Sequence, residues 1–256
     1  MKPIRFVAFA AVLVLTCCAH RTPQATVDLI DTSLSITRRA EHAALTAVGD
    51  QISRMRRGDV LIVIPITGDA ENDAGGRILR LQAPTVREPY DADLRRFQVE
   101  ARRRYVAWEA SLDTCQCCTD IIGSLDAARQ ELAMLPQSSI RRLIFVSDFL
   151  EDDGAYNFVR DTALANPTRA RHLASRLRVE RGFSLTDVSL CLGRLESSDF
   201  APLSEERKAA IRAFWTAYLA QQGRTPDIDL DGIGLLAGSE SACSTRAASG
   251  ALEATR

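Results

Sequence analysis

Val60 to Ile66 is a run of seven residues, apolar but for one proline. A run of that length with no polar face suits a strand buried on both sides. Such a strand needs cover above and below, so the flanking segments decide the fold. Upstream, Ile36, Ala40, Ala43, Ala44, Ala47, Ile52 and Met55 recur at helical spacing, and Gly58 closes that helix. Downstream, Leu94, Phe97, Ala101, Trp108 and Leu112 mark a long amphipathic helix, and Ile122, Leu125, Ala128, Leu132 and Leu135 mark another. Leu143 to Val146 reads as a second buried strand. Asn166-Pro167 opens a helix with good N-cap chemistry, and Gly182 ends it. Val188, Leu190 and Leu192 alternate as a strand, and Ser204-Glu205-Glu206 starts a last helix carrying Ile211, Phe214 and Tyr218. Val27 to Asp31 is a short strand at the front, and Arg77–Gln82, after the Gly75-Gly76 turn, reads as an antiparallel edge strand. Strands alternating with helices imply an α/β fold, a mostly parallel central sheet flanked by helices on both faces.

The two ends read differently. Lys2 and Arg5 precede a ten-residue apolar stretch, Phe6 to Leu15, and small residues follow. A bilayer span needs about 20 apolar residues, so residues 1–19 read as an export signal. The run ends Leu15-Thr16-Cys17-Cys18-Ala19, which resembles a bacterial lipobox with Cys18 as the lipidated residue. Cys17 is a poorer second choice, and cleavage after Ala19 without lipid stays open. The chain is therefore expected to be exported to the periplasm or cell envelope, held to a membrane by a lipid anchor. From about Gly223 the chain is rich in Gly, Ser and Ala and reads as a tail. Its Asp227-Ile-Asp229-Leu-Asp231-Gly232 resembles the start of an EF-hand loop, but position 12 falls on Gly238, which carries no ligand.

Charge excludes some functions. The formal net charge is −1, and all but two of the 32 basic residues are arginine. That balance gives no general attraction to nucleic acid. The arginines at 95, 96, 102, 103 and 104 read as a solvated helix face. No Walker A loop and no dinucleotide fingerprint is present, and three scattered histidines support no Ser-His-Asp triad.

Oxygen donors gather where the strands end. Asp31, Ser33 and Ser35 follow the first strand as Asp-x-Ser-x-Ser. Thr119 opens the helix after a cysteine-rich loop, and Asp148 follows the central strand. Hydroxyls and carboxylates are hard donors that suit Mg²⁺ or Mn²⁺. In open α/β sheets, sites lie beyond the carboxyl ends of the strands, where the strand order reverses. Without a metal, the same residues would serve as helix caps.

These five positions, over roughly residues 25–222, make the chain resemble the von Willebrand factor type A (vWA) domain and its metal-ion-dependent adhesion site. The resemblance implies that Ser33 and Ser35 ligate directly, that Asp31 and Asp148 act partly through water, and that Thr119 joins or leaves with ligand state. It implies a protein partner that completes the coordination with an exposed carboxylate, and no enzymatic activity. The sequence departs from the pattern at Cys117-Cys118, where Gly-Gly is common, and at Phe149, where Gly is common. At that position Phe149 is expected to narrow access to the ion or to form an apolar rim. Two other readings stay open: a Mg²⁺-dependent phosphohydrolase, and a metal-free scaffold assembling through its long helix or its Arg-rich face. The first lacks the second Asp that such enzymes carry, since Ser33 stands there, and the chain has almost no lysine.

The cysteines divide by position. Cys115, Cys117 and Cys118 crowd one loop and could form a disulfide in an exported protein, with connectivity left open. Zinc at that cluster lacks a second Cys or His pair. Cys191 reads as a small core residue, and Cys243 falls in the tail.

Overall fold

Strand order explains where the crevice lies. In the computed structural model, residues 21–70, 77–112 and 118–221 are described. The leader with Cys17 and Cys18, the Gly75-Gly76 turn, Cys115, Cys117 and the tail from 222 lie outside the described residues. Five strands form one sheet in the order β3-β2-β1-β4-β5. They are β1 (Gln24–Asp31), β2 (Val60–Ile66), β3 (Leu79–Gln82), β4 (Ile140–Ser147) and β5 (Val188–Arg194). All neighbours pair parallel except β2 and β3, so the antiparallel edge read from the sequence is in place.

The helices are α1 (Arg38–Arg54), α2 (Ala92–Ala110), α3 (Ile121–Met134), α4 (Pro167–Glu180) and α5 (Glu205–Tyr218). Short 3₁₀ turns occur at Pro89–Asp91 and Thr162–Leu164. Crossovers between parallel strands are right-handed. From β1 the chain winds outward to β2 on one side; from β4 it winds outward to β5 on the other. The connecting helices must therefore lie on opposite faces. They do: α1 and α2 pack with Leu61, Val63, Leu79 and Val146. Helices α3, α4 and α5 pack on the other face, with Val27, Leu29, Ile64 and Phe145. The loops leaving β1 and β4 diverge, and the crevice opens between them.

Caps set the helix starts. Thr37 accepts the Ala40 N–H, Asn166 accepts those of Thr168 and Arg169, and Ser204 accepts that of Arg207. Gly182, with φ +58°, follows α4 as a left-handed stop that only glycine takes without strain. Gly58 acts differently from the sequence reading. Met55 already ends α1, and Gly58 (φ +76°) turns the chain into β2.

The second face holds an aromatic cluster built on Trp215, with Phe145, Phe149, Phe158, Phe214 and Tyr218 around it. Cys191 is buried on β5, and it is disulfide-bonded, which corrects its reading as a plain core residue. Its partner lies outside the described residues. Among the described residues, no helix is long and apolar enough to cross a membrane.

Candidate metal centre

Asp31 is the last residue of β1 and is wholly buried. Its Oδ1 accepts the Ser33 N–H at 2.9 Å, which turns the chain back over the strand end. The turn brings the Ser33 and Ser35 hydroxyls within 3.0 Å of each other. Ser35 Oγ then donates to Asp148 Oδ2 at 2.9 Å. Asp148 Oδ1 accepts the Leu150 N–H at 3.0 Å. One hydrogen-bonded chain thus joins four of the five sequence-identified residues across the reversal point between β1 and β4.

The fifth residue is placed by backbone. Thr119 and Asp152 exchange N–H···O bonds of 2.8 and 2.9 Å, and Asp120 N–H donates to the Thr67 carbonyl just beyond β2. Thr119 is buried at the same strand-end edge, but its hydroxyl takes no part in the chain joining the other four.

Two serines outside the five sequence-identified ligands complete the arrangement. Ser147 Oγ donates to Asp31 Oδ2 at 2.6 Å and accepts the Phe149 N–H at 2.9 Å. Ser197, in the loop after β5, lies against Asp148, where its side chain opposes the rise of that carboxyl, and accepts the Asp199 and Phe200 N–H groups. That loop is tied to the first by Ser198 N–H to the Ser35 carbonyl at 2.9 Å. Strand parity offered a signal for Ser147, which shares the inward face of Leu143 and Phe145. Ser197 offered none, because only the folded chain brings its loop near.

Phe149 corrects an expectation. Its ring is 1% exposed and packs edge-on against Phe145 at 4.8 Å, so it forms no rim over the site. Its backbone is left-handed, φ +66°, the conformation in which glycine is strain-free. A side chain there costs about 1–2 kcal/mol. Burying a phenylalanine returns about 1.5–3 kcal/mol, so the cluster offsets the strain.

The electrostatics favour a cation. Burial raises the Asp31 carboxyl above its usual range, against hydrogen bonds from Ser147 and Ser33. Burial first, and then the charge of Asp31, push Asp148 up to about 7. Among the described residues, the hydrogen-bond partners of both acids are serine hydroxyls and backbone N–H groups, all neutral. Two buried carboxylates held together by neutral donors repel each other. A hard divalent ion would remove that penalty, and the donor set, carboxylate and hydroxyl oxygen, fits Mg²⁺ or Mn²⁺. Of the cysteines in the preceding loop, Cys118 is half-buried.

No protein-family model and no curated protein matches the chain. Several solved structures are similar to it. The manganese-loaded TRAP protein of Plasmodium vivax aligns at 11% identity, over 68% of this chain and 58% of that one, with TM-score 0.36. BatB from Bacteroides thetaiotaomicron aligns at 11%, over 66% and 65%, with TM-score 0.34. A von Willebrand factor type A protein from Catenulispora acidiphila aligns at 16%, over 75% and 43%, with TM-score 0.37. The chain thus spans less than two thirds of the length of each. The functional reading below rests on this chain's own residues.

Proposed function

We propose that the protein is a divalent-cation-dependent protein-binding module of the cell envelope. The observation that carries this is the chain Asp31–Ser33–Ser35–Asp148, two buried acids and two hydroxyls meeting at the strand reversal, with no positive side chain among the described residues bonded to them. Asp31, Ser33, Ser35, Thr119 and Asp148 would hold Mg²⁺ or Mn²⁺. When bound, the ion would supply a Lewis-acid position that accepts an exposed carboxylate of a protein partner. Asp31 and Asp148 offset its charge, while Ser33 and Ser35 contribute oxygen without charge and leave it electrophilic. Ser147 and Ser197 orient the two acids. The disulfide at Cys191 supports an oxidising compartment, in line with the export signal. The lipid anchor at Cys18 is part of the same proposal.

Calorimetric titration of the full chain with Mg²⁺ and Mn²⁺ tests the reading. Binding is expected, and Asp31→Ala and Ser33→Ala are each expected to weaken it at least tenfold, about 1.4 kcal/mol. Equal affinity in wild type and both variants would sink the assignment. So would Mg²⁺-dependent phosphatase turnover that Asp31→Ala abolishes, since that result belongs to the phosphohydrolase reading.

A further inference from the structure

Behind the Thr119–Asp152 bridge, three more acids converge. Asp120 is the N-cap of α3, and Glu151 and Asp153 flank Asp152 in the loop leaving β4. One carboxylate oxygen from each lies within 4.8 Å of the others. Part of this cluster has an ordinary task. Asp120 Oδ1 accepts the Gly123 N–H, and Glu151 Oε2 accepts the Ile122 N–H at 3.0 Å, so both satisfy the start of α3. Asp153 Oδ1 accepts the Ala155 and Tyr156 N–H groups.

Capping leaves one atom unexplained. Glu151 is 1% exposed, and its Oε1 has no hydrogen-bond partner among the described residues. A buried carboxylate oxygen left orphaned costs more than a lost hydrogen bond between neutral groups. Asp126 Oδ1, 3.8 Å from Arg129 Nε, and the Tyr218 hydroxyl also have no hydrogen-bond partner among the described residues, and both belong to the same electrostatic neighbourhood. Burial, together with the charges of Asp120 and Asp153, drives the Glu151 carboxyl well above its usual range. Arg181, whose charge opposes that rise, is already bonded to Asp126 at 2.8 Å. Three acids converge here, and one of them carries a buried oxygen with no hydrogen-bond partner among the described residues, a set that favours a cation between them.

We infer that Asp120, Glu151 and Asp153 form a second divalent-cation site of calcium type, separate from the Asp31–Asp148 centre. Calcium takes six to eight oxygen ligands at about 2.3–2.6 Å. Oxygens on opposite sides of such an ion lie about 5 Å apart, the scale of the observed cluster. Magnesium, at about 2.0–2.1 Å, demands a tighter octahedron. The cation would tie the start of α3 to the loop leaving β4. It would thereby hold the backbone bridge that carries Thr119.

The test uses the full chain carrying Asp31→Ala, so that the first centre does not contribute and failure of either reading is seen separately. Calorimetry with Ca²⁺, and terbium luminescence sensitised by the nearby Tyr156, are expected to report one site. Adding Glu151→Gln is expected to weaken Ca²⁺ binding at least tenfold. Gly123→Ala supplies a second variant that keeps every acid and adds helix propensity. Its Cβ would collide with the Asp120 carboxylate, so it too is expected to weaken Ca²⁺ binding. Absence of Ca²⁺ binding to the Asp31→Ala chain would overturn the inference. Unchanged Ca²⁺ affinity in both added variants would do the same, leaving the acids as helix caps.

Discussion

Replacing Trp215 by alanine is expected to cost the fold about 3–5 kcal/mol, the usual range for an aromatic side chain removed from a packed core. Trp215 is fully buried on α5. Its ring meets Phe145, Phe158 and Phe214 with centroids 5.8, 5.7 and 5.0 Å away. The alanine variant therefore leaves a cavity that several rings from different elements would have to fill at once. A second expectation separates packing from position. The indole N–H donates to the Phe149 carbonyl at 2.9 Å. That carbonyl belongs to the left-handed residue directly after Asp148, so the indole holds the turn that aims Asp148 at Ser35. Trp215→Phe keeps most of the apolar volume but orphans the carbonyl. It is expected to cost less than the alanine variant, about 1–3 kcal/mol from the unsatisfied group plus the smaller volume lost, and to weaken Mg²⁺ binding as well. Urea denaturation followed by circular dichroism, with Mg²⁺ titration of the phenylalanine variant, measures both. Wild-type stability and Mg²⁺ affinity in Trp215→Phe would show that the indole bond positions nothing.

The α/β class and the residues at the strand ends were legible because both follow from local chemistry. Val60 to Ile66 cannot be half-exposed, and Asp31 and Asp148 are placed by where their strands stop. The hydrogen-bonded chain brings Asp31, Ser33, Ser35 and Asp148 together. Less was legible where tertiary placement decides. Phe149 reads as a bulky residue beside a site, and nothing local says that its ring turns inward while its backbone goes left-handed. Ser197 and Asp148 are far apart in sequence and meet only when the loops after β4 and β5 fold together. Glu151 looks like one acid of a surface Glu-Asp-Asp run. Its burial depends on α3 starting above it, which the α3 pattern alone does not place. Cys191 alternates correctly as a core position, and periodicity carries no information about its disulfide.

Asp28 shows the same gap and gives a prediction whose sign is fixed by physics. It lies in the middle of β1, 3% exposed, on the face toward α1, with the Gln51 side chain and the Arg142 charge as the groups that oppose its desolvation. Asp28 Oδ1, Gln51 Oε1 and Arg142 Nε all lack hydrogen-bond partners among the described residues, so the charge is poorly compensated. Burial pushes the carboxyl up from 3.8 to about 7, against the smaller opposing effects of Gln51 and Arg142. Between those two values the folded state binds a proton that the unfolded state releases. Stability from this group is therefore complete below about pH 4 and falls as pH rises to about 7. At about 1.36 kcal/mol per pH unit, the loss amounts to at most about 4 kcal/mol. Asp148 titrates in the same direction, so the informative quantity is the difference between wild type and Asp28→Asn. Asparagine keeps the shape and an acceptor for Gln51 and carries no charge to desolvate. The variant is expected to match wild type near pH 4 and to exceed it progressively up to pH 8. Urea midpoints at pH 4, 6 and 8 measure the divergence. Parallel pH profiles for the two proteins would mean that Asp28 keeps its charge in the fold, with Arg142 compensating it far better than their geometry allows.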